Sequence, residues 1–203
     1  MNNLKDLKKI DTILIATNNP GKFREIKELL PRKIKCFSPK DFNLKEPKET
    51  AKTFKGNARL KSTYCAKLAG MIAISDDSGL EVKDLDNQPG IYSARWAGKS
   101  KNFNIAIEKV KKLLFKKKLL ESKANFTCSI SVAFPSGKAF QVVGKVYGKI
   151  CFPPKGKKGF GYDPIFVADG EKKTFGQLSP RYKNRISHRY KAFEQLKKYF
   201  NFN

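Results

Sequence analysis

A chain of 203 residues, 40% hydrophobic and 12% aromatic, is long enough to bury one well-filled core, which excludes a disordered polycation. Its 43 Lys and Arg against 18 Asp and Glu give a formal charge of +25, so long-range attraction favours anionic partners: nucleic acid, an acidic membrane surface or a phosphorylated small molecule. His188 is the only histidine; this excludes multi-histidine zinc sites and leaves oxygen as the main ligand for any catalytic metal, which points to Mg2+ or Mn2+.

The cationic excess is mostly lysine, since only seven basic residues are arginine, and runs such as Lys116 to Lys118 read as a solvated coat. The start, "MNNLKDLKKIDT", has no apolar core of a signal peptide, and Cys36, Cys65, Cys128 and Cys151 form no C-x-x-C pair. A reducing cytoplasm is therefore expected. No apolar run approaches the roughly 18 residues of a membrane helix, so no membrane association is expected.

In chain order, "TILIA" (12–16) reads as a buried strand feeding a loop and helix, "TNNPGKFREIKELL", with Asn19 as N-cap and Pro20 at the first helical position. "KIKCF" (33–37) reads as a second strand and 38–49 as a proline-broken loop. A helix is expected over 52–69 with Gly70 as its stop, then a strand, "MIAIS", that turns into a loop at Asp76 and Asp77. Residues 89–98 read as loop and 102–120 as helix. "NFTCSISVAF" and "AFQVVGKVYGKI" read as strands joined by a "PSGK" hairpin signal. The glycine- and proline-rich loop 153–164 precedes one last helix running from Ser179 through Phe200. No repeat or linker composition appears. The expectation is an α/β protein, a mixed sheet flanked by helices, in a single domain over 12–203 behind an N-terminal extension of residues 1–11.

Four stretches hold candidate chemistry. Thr17, Asn18, Asn19, Pro20, Gly21 and Lys22 open a helix after a strand, where free N–H groups, the macrodipole and a lysine favour a phosphate; the same residues also read as an ordinary capped turn. Asp76 and Asp77 are adjacent acids that repel unless a cation intervenes, and a divalent metal removes the conflict provided the chain turns at Ser78-Gly79 so that both converge; a plain Asp-Asp-Ser-Gly turn is the alternative. "GFGYDP" offers Phe160 as a stacking surface for a planar base or as a core plug. "NRISHRY" concentrates donors, Arg185, His188 and Arg189, beside Lys183.

Together "ATNNPGK", "TFKGNARLKS", "SDDSGLEV" with "PGIYSARWAG", "GFGYDPIF" and "ISHRYKA" resemble the inosine triphosphate pyrophosphatase family, from about Ile13 to the C-terminus. The resemblance implies an elongated α/β fold with an active-site cleft between two lobes, a homodimer, and Mg2+-dependent hydrolysis of ITP, dITP or XTP to the monophosphate and pyrophosphate. It implies Asp77 as proton acceptor and metal ligand, Asp76 and Glu49 as further ligands, and Thr17 through Lys22 with Lys61 around the phosphates. Ser78, Phe160, Gly161, Tyr162, Asp163, Lys183, His188 and Arg189 would line the rest of the substrate site. Three features depart from the pattern: Gly56 stands where the family usually has glutamate, Trp96 replaces the commoner tyrosine, and about ten extra residues precede the first strand.

A rival from another class is a basic nucleic-acid-binding protein, suggested by the charge and by aromatics among lysines in "KKGFGY". The acid pair argues against it, because such a surface has no use for adjacent carboxylates, and nucleic acid is not expected as a partner. Within enzymes, the rival is a pyrophosphatase for other modified nucleotides.

Overall fold

A computed structural model gives the structure of residues 10–199; residues 1–9 of the expected extension and Phe200 of the expected last helix lie outside it. Strand β1 (Thr12–Ile15) shows why the chain folds as it does. Ile13, Leu14, Ile15 and Ala16 are all buried, as a strand covered on both faces requires. Alternation sends Ile13 and Ile15 into a layer with Ile26, Ala192, Phe193 and Leu196, and sends Leu14 and Ala16 into another with Cys65 and Ala66. One face of the sheet is thus covered by α1 (Pro20–Leu29) and α5 (His188–Lys197), the other by α2 (Phe54–Ala69). Each fully buried aliphatic side chain contributes about 1.5–3 kcal/mol. Ile10 is buried in the α1/α5 layer, so the core includes a residue that was expected in the extension.

The sheet has the order β2 (Lys35–Phe37), β1, β3 (Ala73–Val82), β5 (Ser122–Ala133), β6 (Ala139–Ile150), β7 (Phe166–Ala168), with the short β4 (Gln88–Pro89) off β3. β1 runs parallel to β2 (Thr12↔Lys35) and to β3 (Leu14↔Ala73), whereas β4 on β3 and β7 on β6 are antiparallel. The sheet is mixed, as expected. The "PSGK" signal is a tight turn in which Phe134 N–H donates to Lys138 O, with Gly137 at φ 84°.

Two compact units share the described chain. The first comprises the residues up to Asp77, Cys128–Gly144 and those from Arg189; the second comprises Ser78–Thr127 and Lys145–His188. The second has its own core, built on α3 (Phe103–Lys116) with Val110, Leu114, Phe126, Phe166 and Phe175.

Two expectations need correction. β3 does not end at the aspartates but runs unbroken through Asp76, Asp77, Ser78 and Gly79 to Val82. Gly79 has a different reason to be glycine: a Cβ there would stand 2.3 Å from Gly90 O. The last helix is two, α4 (Pro180–Ile186) and α5, because Ser187 leaves the helical region at ψ 160°.

Candidate active site

Asn19 caps α1 as expected, accepting from Gly21 N–H at 2.9 Å and Lys22 N–H at 3.2 Å, with Pro20 in the first turn. The cap corrects the expectation of free amides, because two of those donors already have an acceptor. Asn19 N–H is also engaged, donating to Thr17 Oγ1 at 3.2 Å, and Asn18 Nδ2 reaches Glu46 at 3.3 Å. What the loop presents is the Lys22 ammonium, 3.3 Å from Asp76 Oδ2, backed by the helix dipole.

An unbroken β3 sends its adjacent aspartates to opposite faces, and each answers to different helices. Asp76, fully buried, faces α1 and α5: its Oδ2 accepts from Arg189 Nη2 at 2.8 Å and Nε at 3.3 Å, and Glu25 of α1 takes the Nη1 side of the same guanidinium. Asp77, 5% exposed, faces α2: Oδ2 accepts from Asn57 Nδ2 at 3.1 Å, and Oδ1 lies 3.7 Å from Lys61 Nζ. Lys61 also holds Glu49, at 2.6 Å.

These surroundings push the neighbours apart. Burial works against the charge of Asp76, but Lys22, Arg189 and Lys61 outweigh it and hold that carboxyl well below the usual carboxylate range. Burial dominates at Asp77, where Lys61 and Lys22 only partly offset it and Glu49 adds to it, so its pKa rises to about 6. For Lys61 burial opposes charge, yet Asp77, Glu49 and Asp76 together keep its pKa above the ordinary lysine value. One carboxylate that stays ionised beside one poised near neutrality is the pattern of a charged anchor and a base.

The acids Glu25, Glu49, Asp76 and Asp77 meet three cations, Lys22, Lys61 and Arg189, so these ion pairs carry one more acid than base inside a chain of charge +25. Asp76 Oδ1 is buried with no hydrogen-bond partner among the described residues. Both observations fit a cation. No group of three His, Cys, Asp or Glu is gathered as a ready-made metal cluster among the described residues. That suits Mg2+, which takes one or two carboxylates and completes its shell with water and phosphate oxygen. At Gly56, where the resemblance leads one to look for an acid, a Cβ would stand 2.5 Å from Ala51 Cβ, so this backbone leaves no room for a side chain.

In the second unit, Asp163 accepts from Lys183 Nζ at 2.6 Å and from Phe160 N–H at 2.8 Å, and the Lys183 ammonium sits 4.6 Å over the Phe160 ring. Gly159 (φ 76°) passes so close to Asp163 that a Cβ would meet Oδ2 at 2.1 Å. His188 stacks on Phe126, centroids 4.9 Å apart. Half-buried Phe160 and Gly161 stay accessible. Tyr162 and Asp163, expected at the substrate, are buried side chains: the Tyr162 hydroxyl donates to Ser93 O at 3.0 Å and its ring meets Phe103 edge-on. Arg189, expected as a base-side donor with His188, is in the first unit on Asp76 and Glu25, because the break at Ser187 re-aims the chain. Sequence reading missed Asn57 and Glu25, whose signals were modest: each lies one turn from a named lysine, Lys61 or Lys22.

A mixed α/β protein with a buried, asymmetric acid pair facing lysines is thereby defined. The chain belongs to the Ham1 family, whose model matches residues 13–199. It is 47% identical over 188 residues to the dITP/XTP pyrophosphatase of Rhodospirillum centenum (92% of this chain, 93% of the relative) and 46% identical to that of Caulobacter vibrioides (91% and 95%). Among solved structures, a HAM1 protein from Coxiella burnetii superposes with a TM-score of 0.84 at 37% identity, covering 92% of this chain and 96% of that one. The Staphylococcus aureus Ham1 protein gives 0.82 at 39%, covering 93% and 97%.

Proposed function

We propose that this chain hydrolyses non-standard purine nucleoside triphosphates, ITP, dITP and XTP, to the monophosphate and pyrophosphate. The observation that carries this is the opposite setting of Asp76 and Asp77 at the end of the first unit that also bears Lys22 and Lys61. The names of the relatives agree with it.

A triphosphate carries about four negative charges, so hydroxide approaching the α-phosphorus is repelled unless cations offset that charge. Lys22 and Lys61 supply it, with Thr17, Asn18, Asn19, Pro20 and Gly21 shaping the turn beneath the phosphates. Asp77 accepts the proton of a water in line with the bond to the β-phosphate; the new P–O bond forms as that bond breaks, and pyrophosphate departs. Of the three acids expected to hold Mg2+, or Mn2+ in its place, Glu49 and Asp77 share Lys61 on one face of the unbroken β3 and Asp76 lies on the other, so the three do not converge as the expected turn would have allowed. The ion would take the carboxylates of one side, complete its shell with water and phosphate oxygen, and supply Lewis-acid neutralisation of phosphate oxygens when bound. Arg189 keeps Asp76 ionised and aligned.

Ser78, Phe160, Gly161, Lys183 and His188 are assigned to the sugar and base. Hypoxanthine and xanthine present a carbonyl acceptor where adenine presents an amino donor, so lysine and histidine donors suit the former and are left unmatched by the latter. Tyr162 and Asp163 serve this surface from behind. A homodimer acting in the cytoplasm completes the proposal; among the described residues no helix is long and apolar enough to cross a membrane.

The test is a panel of triphosphates (ITP, dITP, XTP, GTP, ATP and a modified pyrimidine) assayed for pyrophosphate with Mg2+ and with EDTA. Pyrophosphate from the first three, lost in EDTA, is expected. Intact ITP, or its cleavage to diphosphate and orthophosphate, overturns the proposal.

A further inference from the structure

Asn57 is fully buried on the first turn of α2, and both ends of its amide are used. Oδ1 accepts from Ala51 N–H at 3.0 Å, and Nδ2 donates to Asp77 Oδ2 at 3.1 Å. The amide cannot be turned round, because a backbone N–H only donates and must therefore face Oδ1. One turn later, Lys61 leaves the same helix face, reaching Asp77 Oδ1 at 3.7 Å and Glu49 at 2.6 Å. α2 therefore grips Asp77 with one donor on each oxygen, and the same two side chains hold the segment from Glu49 to Ala51. Of the two, Asn57 is the neutral donor, and its hydrogen bond to the carboxylate is directional and of ordinary length; Lys61 is a longer ion pair.

We propose that Asn57 is a positioning residue for Asp77: by tying Oδ2 it sets the plane of the carboxylate and directs Oδ1 to the attacking water, while its own Oδ1 keeps the Glu49 segment in register with that carboxylate. This rests on the reading of Asp77 as the proton acceptor. Losing a buried hydrogen bond to a charged group and misdirecting the acceptor together lower the rate by about 10- to 100-fold.

The experiment is a double-mutant cycle. Asn57→Ala and Asn57→Asp are made singly, and Asn57→Ala is also made in Asp77→Asn, with kcat and KM for ITP measured alongside the affinity of the metal-free protein for a non-hydrolysable ITP analogue. Asn57→Ala is expected to lower kcat about 10- to 100-fold with KM and analogue affinity within about threefold. Asn57→Asp keeps the acceptor for Ala51 and lacks the donor for Asp77, so it loses kcat likewise. In Asp77→Asn, adding Asn57→Ala is expected to cost nothing more, because the residue acts through a carboxylate no longer there. A kcat within twofold of the parent for both single variants, or losses that simply multiply in the double variant, overturns the proposal. Should Asn57→Ala fail to fold, Asn57→Ser carries the same cycle. A parent protein inactive on every triphosphate is a distinct outcome that refutes the reaction itself.

Discussion

Each unit buries a lysine against an aspartate, and the two arrangements differ in what surrounds the pair. In the second unit Lys183 and Asp163 meet at 2.6 Å, the Phe160 amide takes the same Asp163 oxygen, and the Phe160 ring covers the ammonium. Lys61, in the first unit, sits between two carboxylates, and a third, Asp76, influences it. In the one-to-one pair Asp163 is matched by its own lysine, whereas Asp77 is buried and shares its lysine with Glu49, which leaves it poised to take a proton.

Two substitutions, one of them read in two ways, separate these roles. Asp77→Asn should lower the turnover of ITP by about 10²- to 10⁴-fold, the range of a general base, while nucleotide affinity stays within an order of magnitude. Pyrophosphate release and equilibrium binding measure the two, and undiminished turnover would remove Asp77 from the reaction. Asp163→Ala should instead act on the fold, costing about 3–5 kcal/mol in denaturant unfolding because a buried ammonium loses its counter-ion. A loss below about 1 kcal/mol would mean that Lys183 finds water or another acid. The smallest effect follows from Asp77 itself. Its folded pKa of about 6 lies above the ordinary aspartate value of 3.8, so its contribution to stability is fully present below 3.8 and is lost as pH rises through 6. In metal-free protein, Asp77→Asn should therefore gain on the parent by about 2–3 kcal/mol between pH 4 and pH 7. A flat difference across that range would place Asp77 at an ordinary carboxylate value.

The elements carrying strong periodicity were legible before any coordinates. β1, the Asn19 cap with Pro20, α2 with its Gly70 stop and the whole of β6 fall where the residue pattern puts them. The continuation of β3 through two aspartates was not, because Asp, Ser and Gly disfavour strands and only burial between α2 on one face and α1 with α5 on the other overrides them. The break at Ser187 was equally silent, since nothing in "RISHRY" resembles a helix stop. At the site, residue types foretold the chemistry but not the allocation. Arg189 and His188 are adjacent and look interchangeable as donors, yet one neutralises Asp76 and the other stacks on Phe126. Asp163 and Tyr162 matched a motif, and what the motif did not tell is that both side chains are buried, one on Lys183 and the other on Ser93 O.

The crowding of Ala51 against Gly56 bears on how the chain can change. An engineer wishing to install at 56 the glutamate that the resemblance leads one to expect cannot do so in one step, since the first atom of any side chain there already collides with a methyl group across the turn. Ala51→Gly has to come first, and by itself it offers no benefit and loosens the loop, at a cost of roughly 0.5–1 kcal/mol. The order of substitutions, rather than the chemistry of the acid, is what would keep this lineage on its own version of the site.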